Sequence, residues 1–197
     1  MRFHLSEKQG LYDPSFEHDS CGVGFVFDVK GKRTNNLFNN ALQVLKRLSH
    51  RGATGSDPKT GDGAGVLIQI PHDFLMDACE ENKINLPTRG EYGIGTVFFP
   101  QNKEERQFCR DVFSQTIKNT EQFLLGWRTV PVDNSTIGKT ACDTQPVIEQ
   151  VFIRKNPGIK EQDDFERTLY VIRKKIENVI RASRLSQKSF FYITNLS

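Results

Sequence analysis

The chain has 197 residues, 37% hydrophobic and 26% charged, an ordinary composition for one soluble globular domain. Lys and Arg total 27 against 24 Asp and Glu, and a formal charge of +3 spread along the sequence argues against a nucleic-acid or membrane-binding surface and for small-molecule chemistry. No stretch approaches the ~20 apolar residues that cross a bilayer, and the polar start Met1-Arg2-Phe3-His4-Leu5 lacks a secretory h-region, so a cytoplasmic or organellar-stromal chain is expected.

Residues 1 to 20 are polar and without periodicity, which reads as a leader. Gly22-Val23-Gly24-Phe25-Val26-Phe27-Asp28-Val29 is rich in β-branched and aromatic residues and ends at the turn signal Lys30-Gly31-Lys32, so a strand is predicted directly after Cys21. A helix follows from about Thr34 to His50, and its Leu37, Ala41, Val44, Leu45 and Leu48 recur at three and four residues, predicting one buried face. The Gly-rich stretch Arg51 to Gly65 interrupts the pattern. Val66-Leu67-Ile68-Gln69-Ile70 then reads as a short buried strand stopped by Pro71, with a helix near residues 72 to 83.

The alternation continues with a strand from Tyr92 to Phe99, a helix near 103 to 118, a strand from Phe123 to Val130 and a short helix near 135 to 141. A strand from Val147 to Arg154 and a long helix from about Asp163 to Arg184 come next; Phe165, Leu169, Ile172, Ile176, Val179 and Ile180 keep one stripe of that helix. Ser189 to Leu196 reads as a last strand. With no internal repeat and no long linker, strands and helices are expected to share one layered α/β or α+β domain.

Four cysteines, Cys21, Cys79, Cys109 and Cys142, stand far apart without C-x-x-C spacing, which indicates neither a zinc site nor a disulfide framework. Cys79 and Cys109 sit inside helix patterns beside apolar neighbours and are assigned to packing. Cys142 lies in a polar loop. Cys21 stands between the leader and a Gly-x-Gly strand whose missing side chains at Gly22 and Gly24 leave room for a substrate at the backbone. Cleavage before Cys21 gives one residue a thiol and a free α-amine, and an amine with an ordinary pKa of about 8 is suited to accept the thiol proton.

The run Leu11-Tyr12-Asp13-Pro14-Ser15-Phe16-Glu17-His18-Asp19-Ser20-Cys21-Gly22-Val23-Gly24-Phe25-Val26 resembles the propeptide junction of glutamate synthase large subunits. The likeness continues through Leu48-Ser49-His50-Arg51-Gly52-Ala53-Thr54-Gly55-Ser56-Asp57 and Thr60 to His72. It returns in Gly126 to Asn134 and in Gln150-Val151-Phe152-Ile153-Arg154, so it spans essentially the whole chain.

The resemblance implies a class II glutamine amidotransferase domain with the α+β, four-layer αββα sandwich of N-terminal-nucleophile hydrolases, residues 1–20 being a propeptide and 21–197 the front of the domain. It implies Cys21 as nucleophile with its freed amine as base, L-glutamine as substrate, a γ-glutamyl thioester and released ammonia. Arg51 is implied beside the cysteine, where a fixed cation favours thiolate, and Gly22 and Arg51 at the substrate. FMN, an iron-sulfur cluster and transfer of ammonia to 2-oxoglutarate are implied for the full-length parent, with its flavin domain and a small reductase subunit as partners; no cofactor is expected in this segment, and no nucleic acid or membrane. A plastid stromal location is the eukaryotic counterpart of the cytoplasmic one.

Gly61-Asp62-Gly63-Ala64-Gly65 has neither phosphate-loop nor dinucleotide spacing and is expected to be a tight turn lining the cleft. The family's Thr-His-x-Arg and Asn-Gly elements, which hold the substrate carboxylate and the oxyanion, do not occur in the chain. Loss of one oxyanion donor removes about two to three orders of magnitude in turnover, so a domain truncated on its C-terminal side, with feeble activity and an exposed sheet edge, is expected. Two other readings fit the residues: another N-terminal-nucleophile amidohydrolase, and a degenerate chain that serves only as a binding or regulatory subunit.

Overall fold

The computed structural model describes residues 22–49, 52, 54, 57–61 and 63–197. They fall into two compact units, the described part of Met1–Gln69 with Ile137–Thr140, and Ile70–Thr136 with Ala141–Ser197.

The second unit is α+β. Strands β1 (Tyr92–Phe99), β2 (Phe123–Thr129), β3 (Val147–Arg154) and β4 (Tyr192–Leu196) form an antiparallel sheet in the order β2-β3-β1-β4. β1 and β3 pair without interruption from Tyr92 opposite Arg154 to Phe99 opposite Val147. The register shifts between Leu124 and Gly126 on β2 and between Thr96 and Val97 against β4. The first shift lets both Leu124 and Trp127 reach the same core although they are three positions apart, a spacing that in an unbroken strand puts side chains on opposite faces.

Helices α3 (Lys103–Asn119) and α5 (Gln162–Ala182) supply the core on one face of this sheet. The Phe165, Leu169, Ile172, Ile176 and Ile180 stripe of α5 is buried as its spacing predicts, together with Phe113 and Ile117 of α3 and Val97, Phe99, Val151, Ile153 and Ile193 of the sheet. Val179 departs from the predicted stripe and is 46% exposed. Each fully buried side chain of this size contributes about 1.5–3 kcal/mol. Phe99, Phe113, Trp127 and Phe191 make edge-on or tilted ring contacts at 5.0–6.3 Å there. Asn102 caps α3 by accepting from the N–H groups of Glu104 and Glu105, so the helix starts where the sequence places it.

A smaller core lies on the opposite face, where Leu75 and Cys79 of α2 (His72–Glu80) meet Tyr92, Ile94 and Phe152. β4 begins later than the sequence suggests, because Lys188–Phe190 forms a 3-10 turn first.

The first unit departs further from the sequence reading. α1 (Asn35–Arg47) is present, capped by Thr34, whose side chain accepts from Leu37 N–H, but none of its residues is buried and the predicted face is only half covered. Residues 22–29 and 66–70 adopt no strand, and Val23, Phe25, Val29 and Leu67 are all more than 80% exposed. A strand exists only with a hydrogen-bonded neighbour, and among the described residues neither segment has one. The helix expected at 135 to 141 is displaced to α4 (Lys139–Asp143).

Candidate functional site

Cys21 and Arg51, the two residues that the resemblance assigns to catalysis, lie outside the described residues; Gly22 and Gly52, which follow them, do not. Gly22 is exposed, and the Cδ atoms of Leu48 stand 3.4 Å from where a Cβ would be, an ordinary contact. At Gly24 a Cβ would lie 2.5 Å from Val44 Cγ1. The space that the sequence reading reserves for substrate at Gly24 is therefore taken by α1. Farther on, the predicted turn is found: Asp28 accepts from the N–H groups of Lys30, Gly31 and Lys32, and Gly31 has φ 69°.

The Gly-rich stretch after α1 is shaped by three closures. Gly52 N–H donates to Ser49 carbonyl at 3.1 Å, with Arg51 in the intervening sequence. Thr54 and Gly61 form an antiparallel bridge. Inside it Thr60 N–H donates to Asp57 carbonyl at 2.9 Å, while the Asp57 carboxylate accepts from Lys59 N–H at 3.0 Å and from Thr60 Oγ1 at 2.9 Å. Lys59 N–H is the main reason that the Asp57 carboxyl is held below the usual carboxylate range; the Thr60 hydroxyl and the N–H groups of Thr140 and Lys139 act in the same direction. A tight turn is thus found at residues 57–60, whereas the one expected at Gly61 to Gly65 includes Asp62, which lies outside the described residues. Gly63 and Gly65 have open space around them.

In the second unit Cys79 and Cys109 are packed away as the sequence reading has them, whereas Cys142 lies in α4 and not in the polar loop expected. Cys79 and Cys109 are fully buried. Burial pushes both thiols up, Cys109 to about 12 with the Glu105 carboxylate adding to the shift, and Cys79 despite the opposing charge of Arg128. Neither is a nucleophile near neutral pH. Cys142 is half-buried at a cleft of about 320 Å³ with Gln101, Gln145, Val130 and Ile148, and no histidine, lysine or arginine lines that cleft.

One polar arrangement was not legible from the sequence. Arg128, Gln150, Thr96 and Asn195 lie in register across all four strands, on the face turned away from α3 and α5. Arg128 Nη1 donates to Gln150 Oε1 at 2.9 Å, Thr96 N–H donates to Asn195 Oδ1 at 3.2 Å, and the Arg128 guanidinium stands 5.8 Å over the Phe74 ring. The four residues come from positions up to 99 apart, and only the sheet register unites them. Among the described residues no three His, Cys, Asp or Glu side chains gather to hold a metal ion, and no helix is long and apolar enough to cross a membrane.

The sequence profile of the family described as Glutamine amidotransferases class-II matches residues 21–197. The Glutamate synthase (NADPH) large chain of Bacillus subtilis is 47% identical over 174 residues, 88% of this chain and 11% of that relative. The Glutamate synthase (NADH) of Schizosaccharomyces pombe is 39% identical over 200 residues, 98% of this chain and 9% of the relative. The Ferredoxin-dependent glutamate synthase, chloroplastic, of Spinacia oleracea is 37% identical over 189 residues, 95% of this chain and 11% of the relative. The chain therefore spans only 9–11% of the length of these relatives.

Proposed function

The chain belongs to the class II glutamine amidotransferases, and from that membership we propose that it is the front of the glutamine-hydrolysing domain of a glutamate synthase, with Cys21 as nucleophile. The observation that carries this reading is the family match, which begins at Cys21; that starting point supports reading residues 1–20 as a propeptide. Cleavage of the bond between Ser20 and Cys21 frees the α-amine. That amine takes the thiol proton, the sulfur attacks the glutamine side-chain carbonyl, and the amide nitrogen leaves as ammonia once protonated. Water then opens the γ-glutamyl thioester, releasing glutamate and restoring the thiol. Arg51 favours the thiolate as a nearby cation, and Gly22 gives the substrate access to the backbone beside the sulfur.

The same reading gives the domain a four-layer αββα arrangement, with residues 22–29 and 66–70 in a second sheet completed by segments of a longer parent. Their exposed Val23, Phe25, Val29 and Leu67 support it, since such side chains suit a sheet that faces another layer. The parent transfers the ammonia to 2-oxoglutarate in a flavin-bearing domain, aided by a small reductase subunit, in the cytoplasm or the plastid stroma. FMN and an iron-sulfur cluster would supply the reducing electrons there. The described cysteines do not suit a cluster, since Cys79 and Cys109 are buried in separate cores and Cys142 lies at an open cleft.

Mass spectrometry of the mature N-terminus and labelling with a glutamine analogue that carries an electrophilic diazoketone test the reading. A chain that starts at Cys21 and is labelled there, with Cys79, Cys109 and Cys142 spared, is the expected result. Label on any of those three instead overturns it.

A further inference from the structure

We propose that Asp57 is a positioning residue for glutamine hydrolysis, clasping the Gly-rich loop that follows Arg51 to the segment around Gly138. The proposal rests on the reading of Cys21 and Arg51 as the reacting pair. The stretch from Gly52 to Gly65 contains five glycines. Fixing a backbone costs about 1–2 kcal/mol per residue, and glycine loses the most freedom, so such a loop holds one shape only if something outside it holds it.

The segment from Ile137 to Thr140 supplies that hold. Gly138 N–H donates to Lys59 carbonyl at 2.9 Å. The N–H groups of Lys139 and Thr140, at the start of α4, point to the Asp57 carboxylate, which also accepts from Lys59 N–H and Thr60 Oγ1 within its own turn. One side chain therefore shapes the turn and anchors it. The approach is so close that a Cβ on Gly138 would stand 2.1 Å from Asp57 Oδ2 and 2.4 Å from Thr60 Oγ1, so a side chain there must displace the Asp57 carboxylate and the Thr60 hydroxyl.

The clasp acts on Arg51 through the chain. Thr54, which closes the loop with Gly61, is three residues beyond Arg51, and three residues span at most about 11 Å. A displaced turn is thereby passed along the chain to the arginine.

The full-length protein is assayed for glutamine hydrolysis as wild type, Asp57→Ala, Asp57→Asn and Gly138→Ala, with diazoketone labelling of Cys21 to count active sites. Asp57→Ala and Gly138→Ala are expected to raise KM for glutamine at least fivefold while the labelled fraction stays at the wild-type level. Asp57→Asn, which keeps the shape and one carbonyl acceptor, recovers part of the loss. An unchanged KM, with turnover falling only as the labelled fraction falls, shows a purely structural turn and overturns the proposal. If Asp57→Ala is insoluble, Asp57→Asn and Gly138→Ala decide by the same criterion. Wild-type protein that hydrolyses glutamine without labelling at Cys21 overturns the nucleophile reading itself, and this proposal with it.

Discussion

Arg110 on α3 grips Glu149 on β3 through two nitrogens, Nε to Oε2 at 3.0 Å and Nη2 to Oε1 at 2.5 Å. The Glu149 side chain is only 3% exposed, whereas Arg110 is 32% exposed and also stands 5.8 Å over the Trp127 ring. This pair ties a helix to the second strand of the sheet at its most aromatic point.

Removing one partner of a buried pair strands the other charge and costs about 3–5 kcal/mol. Because Arg110 is partly solvated, Arg110→Met is expected to lower stability by less, about 2–3 kcal/mol. Urea denaturation is the measurement. The double change Arg110→Met with Glu149→Leu should recover most of the loss, since no buried charge is then left unpaired; a double variant as unstable as the sum of the two single ones contradicts the pairing.

At Gly93 a Cβ would lie 2.5 Å from Leu169 Cδ1 and 3.2 Å from the Ser197 backbone, so the sheet depends on a missing side chain to seat α5. Gly93→Ala should destabilise by about 1–3 kcal/mol through overpacking. Combining it with Leu169→Ala should cost less than the two separate losses together, because the second change vacates the space that the first needs. Strict additivity in thermal or urea melts would argue against this contact.

The Cys109 thiol, raised to about 12 by burial, carries a sign that can be checked. In the unfolded chain the thiol ionises at an ordinary value near 8.5. Between that value and about 12 the folded state keeps a proton that the unfolded state has lost, so Cys109 contributes stability fully below the lower value and loses it as pH rises through the upper one. Cys109→Val, which removes the thiol but keeps a similar apolar volume, should show a shallower fall in stability above pH 9 than the wild type. Parallel alkaline limbs would count against a buried neutral thiol. In the native protein a thiol reagent should also reach Cys142 well before Cys79 or Cys109.

Hydrogen exchange separates the two units. Amides of β1 and β3, paired along eight residues each, should exchange slowest, whereas amides at 22–29 and 66–70 should exchange fast in the 197-residue chain. Slow exchange of those two segments in a longer parent would support the second sheet of the four-layer arrangement. Fast exchange there in both forms would count against it.

Local pattern carried the second unit. The strands at 92–99 and 147–154 begin and end within a residue of their expected bounds, and the stripe of α5 buries five of its six predicted members. Those segments satisfy their own periodicity with partners that lie within the described chain. Residues 22–29 and 66–70 have the same β-rich composition but no such partner, and composition does not say whether a neighbour exists. Of the proposed site, Cys21 was singled out by its place before a Gly-x-Gly run and by motif likeness, Arg51 by motif likeness alone, and both lie outside the described residues, whereas Asp57 and Gly138 were not legible together at all: 81 positions separate them, and neither is part of a periodic pattern.

The order of hydrophobic and polar residues by itself determined which segments are helices and strands in the second unit, which cysteines are packed away, and which family the chain resembles. Those properties depend on short-range periodicity and on linear motifs. Sheet order, the row from Arg128 to Asn195, the seat of α5 at Gly93 and the clasp of Asp57 at Gly138 were decided only by tertiary structure. Each depends on backbone groups from distant positions reaching hydrogen-bond distance, a condition that strand register and chain closure impose and that no local window contains.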